Sequence, residues 1–168
     1  MYTMKEISEQ DALYKLSAMC STAEHCSYEM KEKMRKWGLE EDAQKRIMER
    51  LITEKYVDDS RYCRFFVRDK IRYNKWGRMK IEQALWQKRI PKEIYETIFD
   101  DIDEGEYLKV LRPLIHAKMK TIKAGSDYER NGKLIKFALG RGFSMDLIRQ
   151  CMDTDGVNVD EDDIKFLE

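Results

Sequence analysis

The sequence predicts an all-α protein built as three tandem three-helix repeats that form an elongated, curved helical array. A hydrophobic pattern recurs three times, anchored on Leu39, Ile90 and Phe143, 51 and 53 residues apart, a period that belongs to stacked helical modules. Around each anchor the apolar residues fall at helical offsets. Four residues later come Ala43, Ile94 and Leu147; eight later Ile47, Ile98 and Cys151; nine later Met48, Phe99 and Met152, which together mark one helix face. A second stripe ends short of each anchor, with Met34, Leu85 and Ala138 five residues before it and Met30, Ile81 and Leu134 nine before. Composition agrees: 38% charged and 42% hydrophobic, with two prolines and eight glycines in 168 residues, suits solvated amphipathic helices and leaves no strand-rich alternative.

The first repeat, 1–57, opens with a helix carrying Ala12, Leu13, Leu16 and Cys20, and Ser27 restarts the chain as the helix of Met30 and Met34. A third helix from about Glu40 carries Ala43, Ile47, Leu51 and Ile52 and ends near Tyr56, where Asp58 and Asp59 are placed to cap the next helix. The second repeat, 58–103, puts Tyr62, Phe65, Phe66 and Ile71 on its first helix, breaks at Asn74-Lys75-Trp76-Gly77, and continues with Ile81 and Leu85, then Ile94, Ile98 and Phe99. The third, 104–153, starts near Glu106 with Leu108, Leu111, Leu114, Ile115 and Met119; Pro113 either kinks this helix or marks its start. A turn at Lys123–Asp127 leads to Leu134, Phe137 and Ala138, then Leu147 and Ile148. Residues 154–168 read as a solvated acidic tail.

The breaks before the anchors look chemically different. Gly38 and Gly142 suit the left-handed conformation that ends a helix, whereas Pro91 pushes Ile90 out of the helical region. Three residues past each anchor stand Asp42, Glu93 and Asp146, where a carboxylate meets the exposed amides of a starting helix.

Much chemistry is excluded. No run approaches the ~18 apolar residues that span a bilayer, and the start MYTMKEISEQ has no signal-peptide pattern, so a cytoplasmic protein is expected. Cys20, Cys26, Cys63 and Cys151 make no CxxC pair and read as buried free thiols. His25 and His116 are far apart, and Cys20, His25 and Cys26 lack a fourth ligand for zinc. The stretch from Asp153 to Asn158 has its glycine at the fourth position of a calcium loop instead of the sixth, and no phosphate-binding loop of the GxxxxGK[ST] type occurs. No enzyme, cofactor or metal site is expected.

Three blocks resemble one family. Tyr56-Val57-Asp58-Asp59-Ser60-Arg61-Tyr62, followed by Phe65, Gly77, Ile81, Leu85, Lys88 and Ile90, is similar to the central signature of the RecX regulators of the RecA recombinase. Lys133, Phe137, Ala138, Arg141, Gly142 and Phe143 resemble its C-terminal signature, and Ala12, Leu13, Leu16, Ser27, Glu29, Met30, Met34 and Gly38 its first module. Two departures stand out: Arg89 where the family usually has glycine, and Met30 and Met34 where leucine is commoner. The resemblance implies a protein that lies in the groove of the RecA filament on single-stranded DNA and suppresses its ATPase, strand-exchange and coprotease activities.

Formal net charge is zero, so binding to such a filament requires local asymmetry. Between Arg68 and Lys92 nine cations face only Asp69 and Glu82. From this region and its counterparts the candidates for partner or DNA contact are Lys70, Arg72, Lys75, Trp76, Arg78, Lys80, Lys88, Arg89 and Arg141, with Lys75-Trp76-Gly77-Arg78 foremost. Cations interleaved with aromatics suit a phosphate backbone with stackable bases; the plainer reading is a solvated helix face whose aromatics pack inward, and for Trp37 a staple between its helices. Matching turns place Trp37, Arg89 and Arg141 where a periodic partner could meet them. The expected partner is the RecA filament, bound by a monomer. A sequence-independent module competing for single-stranded DNA is the alternative, and a scaffold for an unrelated protein is more remote.

Overall fold

The computed structural model describes residues 6–154. Among them nine α-helices and no strand occur: α1 Glu9–Thr22, α2 Ser27–Lys36, α3 Glu41–Thr53, α4 Asp59–Arg72, α5 Arg78–Gln87, α6 Lys92–Asp100, α7 Glu104–Met119, α8 Asp127–Gly140 and α9 Met145–Thr154. The acidic tail expected over 154–168 lies, from 155 onward, outside the described residues. The helices pack into two compact units, one of the described residues up to Phe65 with Leu85–Tyr95, the other of Phe66–Ala84 with the described residues from Glu96 onward. The middle triplet, α4 to α6, therefore contributes residues to both.

The first unit packs α1 and α2 on α3. Leu16, Met30, Met34, Ile47 and Leu51 are buried there, with Trp37, Leu39 and Tyr56 half-buried against them. Each such Met, Ile or Leu stabilises the fold by about 1.5–3 kcal/mol relative to exposure. In the second unit α7 packs on both α8 and α9, and Leu111, Ile115, Leu134, Ile135, Phe143 and Ile148 are buried. The apolar offsets read from the sequence are mostly interior, while Leu39, Ile94 and Ile98 remain half-buried. Two residues placed on apolar stripes are instead exposed, Ile52 and Phe65; Cys63 and Val67 are fully buried on α4 instead.

The three breaks share one geometry, which corrects the expectation of separate solutions. Gly38, Arg89 and Gly142 have φ of 73°, 57° and 93°. The next residue's N–H then bonds back to a carbonyl five residues earlier: Leu39 to Met34 at 3.2 Å, Ile90 to Leu85 at 3.1 Å and Phe143 to Ala138 at 3.3 Å. This is the Schellman closure, in which the apolar residue after the left-handed one packs back on the helix it leaves, and it explains why an apolar residue recurs five before each anchor. Arg89 takes the glycine's place and Pro91 is not the cause of the break. The register of the turns shifts accordingly: Lys88, not Arg89, corresponds to Trp37 and Arg141. After each turn Asp42, Glu93 and Asp146 sit in the first turns of α3, α6 and α9.

Pro113 lies inside α7, which starts at Glu104. Its ring removes the amide that would bond to the Lys109 carbonyl, and both residues lie on the exposed side of the helix.

Candidate partner-binding surface

Asp58 and Asp59 divide their work. Asp58 accepts from the Arg61 amide at 3.1 Å and caps α4, while Asp59 accepts from the Ser27 amide at 2.8 Å and caps α2. Arg61 reaches Glu24 at 2.7 Å and donates to the carbonyls of Lys55 and Tyr56 at the end of α3. The segment Tyr56–Tyr62 is thus a structural clasp of the first unit. Beneath it, burial opposes ionisation of Glu29, but the Cys26 amide and the Lys88 ammonium outweigh it and hold the carboxyl below its ordinary 4.5. Lys88 is thereby committed, its Nζ 3.7 Å from Glu29; Arg89 is exposed, 6.0 Å from the Tyr28 ring. Trp37 is half-buried against the core with Lys15 above it, as a staple between helices would be.

In the second unit the loop between α4 and α5 is locked from below. Gly77 N–H donates to Arg141 C=O at 2.7 Å and Met79 N–H to Gly142 C=O at 3.1 Å. The two backbones are so close that a Cβ on Gly77 would lie 2.4 Å from Gly142 backbone atoms. On this base stands Trp76, half-buried, with the Lys70 and Lys80 ammoniums 5.0 and 4.7 Å from its ring centroid. Each such cation–π contact stabilises by about 0.5–1 kcal/mol. Arg141 donates to the Asn74 carbonyl at 3.2 Å and lies 5.3 Å from the Phe137 ring.

Four of the candidates from the sequence are therefore brought together here: Lys70, Trp76, Lys80 and Arg141. Arg72 and Lys75 are exposed beside them, Lys75 at a φ of 56°. Arg78 is turned to internal partners, Phe99 at 4.8 Å and Glu82 at 3.8 Å, because α5 carries it toward its own acidic neighbour one turn on. Lys88 and Arg89 belong to the first unit. Trp76 holds cations over its ring and is a platform for charge more than an open stacking face.

A second cationic group in this unit was not singled out from the sequence. Lys118, Lys123, Lys133 and Lys136 surround a groove of about 370 Å3 floored by Ile122 and Phe137. Its sequence signal is weak, since the lysines come from two helices and the turn joining them, and only the fold gathers them. A larger groove of about 840 Å3 lies over Leu13 and Ile47 in the first unit. Both arginines on its rim are already paired, Arg46 with Glu9 at 2.8 Å and Arg50 with Glu54 at 2.9 Å.

Reactive chemistry is sparse. Burial pushes the Cys26 thiol up to about 12 and Cys63 to about 11, so neither is a thiolate near neutrality. Cys26, Cys63 and Cys151 are buried and Cys20 half-buried, and none of the four is in a disulfide. Among the described residues no group of three or more His, Cys, Asp or Glu could hold a metal ion.

Comparison with known proteins gives a consistent result. Residues 58–97 match the model of the second three-helix domain of RecX, and residues 105–152 that of the third. The chain is 27% identical over 150 residues to the regulatory protein RecX of Prosthecochloris aestuarii, covering 89% of this chain and 97% of the relative. It is 26% identical to the regulatory protein RecX of Clostridium botulinum over 152 residues, covering 87% and 71%. A crystal structure of regulatory protein RecX superposes with a TM-score of 0.80 at 18% identity, covering 86% of this chain and 73% of the other. That of RecX from Lactobacillus salivarius gives 0.72 at 20% identity, covering 86% and 97%.

Proposed function

We propose a role that starts from the family: the chain belongs to the RecX family, and it acts as a regulator of RecA that binds the recombinase filament on single-stranded DNA and lowers its ATPase, strand-exchange and coprotease activities. The observation that carries this reading is the locked loop of the second unit, where Lys70, Trp76, Lys80 and Arg141 form a cationic surface on a chain of zero net charge. Such a surface suits a filament whose groove carries nucleic-acid phosphates, because a fixed array of cations loses little entropy on binding. The regulator works as a monomer in the cytoplasm; no helix among the described residues is long and apolar enough to cross a membrane.

The test is RecA ATPase on preformed filaments. The chain is expected to inhibit when single-stranded DNA is in large excess, and Lys70→Ala/Lys80→Ala/Arg141→Ala, with unchanged circular dichroism, is expected to lose inhibition. Complete rescue by excess DNA would instead favour a simple competitor for the strand, the second reading that the same cations support. Full inhibition by the triple variant would remove the locked loop from the mechanism.

A further inference from the structure

We propose that residues 155–168 of this chain dock in the groove formed by the last turn of α7, the 120–126 turn and α8, so that the protein covers its own cationic surface. No acid occurs between Ala117 and Ser126, where Lys118, Lys120 and Lys123 stand. Lys133 is already spent on the fold: its ammonium pairs with Glu129 at 3.2 Å and donates to the Lys123 carbonyl at 2.8 Å. Lys118, Lys123 and Lys136 have no carboxylate partner among the described residues, and they surround a floor of Ile122 and Phe137, both half-buried. Such a groove is filled by a ligand that carries several carboxylates next to apolar side chains, because the ammoniums call for the first and the open floor for the second.

Residues 155–168, outside the described residues, hold that combination in one stretch. Asp160-Glu161-Asp162-Asp163 runs directly into Ile164-Lys165-Phe166-Leu167, and the segment carries six acids against Lys165, a net charge of −5. Its reach is sufficient. Within the second unit α9 packs on both α7 and α8, and the ten residues from Thr154 to Ile164 span up to about 33 Å, whereas α7, at 16 residues, is about 24 Å long. Other surfaces compete poorly: the arginines on the rim of the first unit's groove are already paired, and Lys70 and Lys80 sit over Trp76. Tethering raises the local concentration of the segment to roughly millimolar, so a contact too weak to hold a free acidic peptide is populated when the peptide belongs to the same chain. A partner then gains the groove only by displacing the segment.

This device goes beyond the filament reading, and its test contains neither recombinase nor DNA. In the full, unaltered chain at about 0.05 M salt, where charges are little screened, a zero-length carbodiimide is expected to join carboxylates of residues 160–163 to Lys118, Lys123 or Lys136 and not to the exposed Lys33, Lys45 and Lys109. A mixture of isotope-labelled and unlabelled chains should give these cross-links within single copies. Amine-reactive labelling read by mass spectrometry supplies a second measurement. Asp160→Asn/Glu161→Gln/Asp162→Asn/Asp163→Asn should raise the labelling of Lys118, Lys123 and Lys136 roughly threefold relative to the three control lysines, the change that follows when a segment docked about two-thirds of the time is released. Ile164→Ser/Phe166→Ser/Leu167→Ser leaves every charge in place and should raise it as well, which long-range attraction between the acids and the lysines does not explain. Cross-links spread evenly over the control lysines, or labelling unchanged in either variant, would overturn the docking; cross-links joining labelled to unlabelled chains would put the segment on a second copy and overturn the claim that the chain covers itself.

Discussion

Gly38, Arg89 and Gly142 hold the same left-handed backbone, but their surroundings make them unequal. Nothing lies within 4 Å of a Cβ added at Gly38, whereas one at Gly142 would meet the Lys80 backbone nitrogen at 2.5 Å. Gly38→Ala is therefore expected to cost only the left-handed strain, about 1 kcal/mol. Gly77→Ala should cost about 3–5 kcal/mol, since backbone cannot rotate away and the bonds to Arg141 and Gly142 would part. Arg89→Gly should be neutral or stabilise by up to about 1 kcal/mol, as the strain of an L residue goes and glycine's added unfolded-state freedom offsets part of it. Urea titration of the three variants beside the unaltered protein checks the order. The glycines were legible in the sequence as turn formers, but the difference between Gly38 and Gly142 was not, because it depends on Gly77 and Lys80, far off in the chain. Glu29 gives a second test at this scale. Its carboxyl is held below 4.5, so the stability it contributes is present above that pH and lost as pH falls through the depressed value; Glu29→Gln should flatten the acid limb of the stability profile.

Among the elements, α4 shows how a short signature acts at a distance. Asp58 caps the helix it opens, whereas Asp59 caps α2 through Ser27. Asp58→Ala and Asp59→Ala should each cost about 1–2 kcal/mol, but only Asp59→Ala should speed amide exchange in the first turn of α2. Exchange measured residue by residue decides; equal protection in α2 for both variants would contradict the assignment. Both aspartates were legible as caps from their place before an apolar stripe. The helix that Asp59 serves was not, since sequence shows only the nearest amides.

For the whole molecule, zero net charge conceals a division. Residues 155–168 contain Asp155, Asp160, Glu161, Asp162, Asp163 and Glu168 against Lys165, so their removal takes the formal charge from 0 to +5. The shortened chain is expected to associate faster with single-stranded DNA, the gain shrinking as salt rises. Stopped-flow association at two salt concentrations measures it, and an unchanged or slower rate counts against long-range repulsion by these acids. The nine cations read from the sequence were a fair guide to charge density and a poor one to availability. Arg78 and Lys88 are engaged by Glu82 and Glu29, while Lys118, Lys123 and Lys136 stand without a carboxylate partner among the described residues.

Local spacing was enough to specify the helices through the apolar period, their ends where Gly38 and Gly142 turn or an aspartate caps an amide, and the family through ordered motifs, but not the left-handed turn at Arg89. Each depends on residues within a turn or two of one another, so one dimension suffices. Tertiary structure alone decided that Gly77 interlocks with Gly142, that Asp59 serves α2, that Trp76 carries two ammoniums, and that lysines from α7 and α8 share a groove. Those are contacts between residues separated along the chain, and the energy that selects them exists only once the helices have packed.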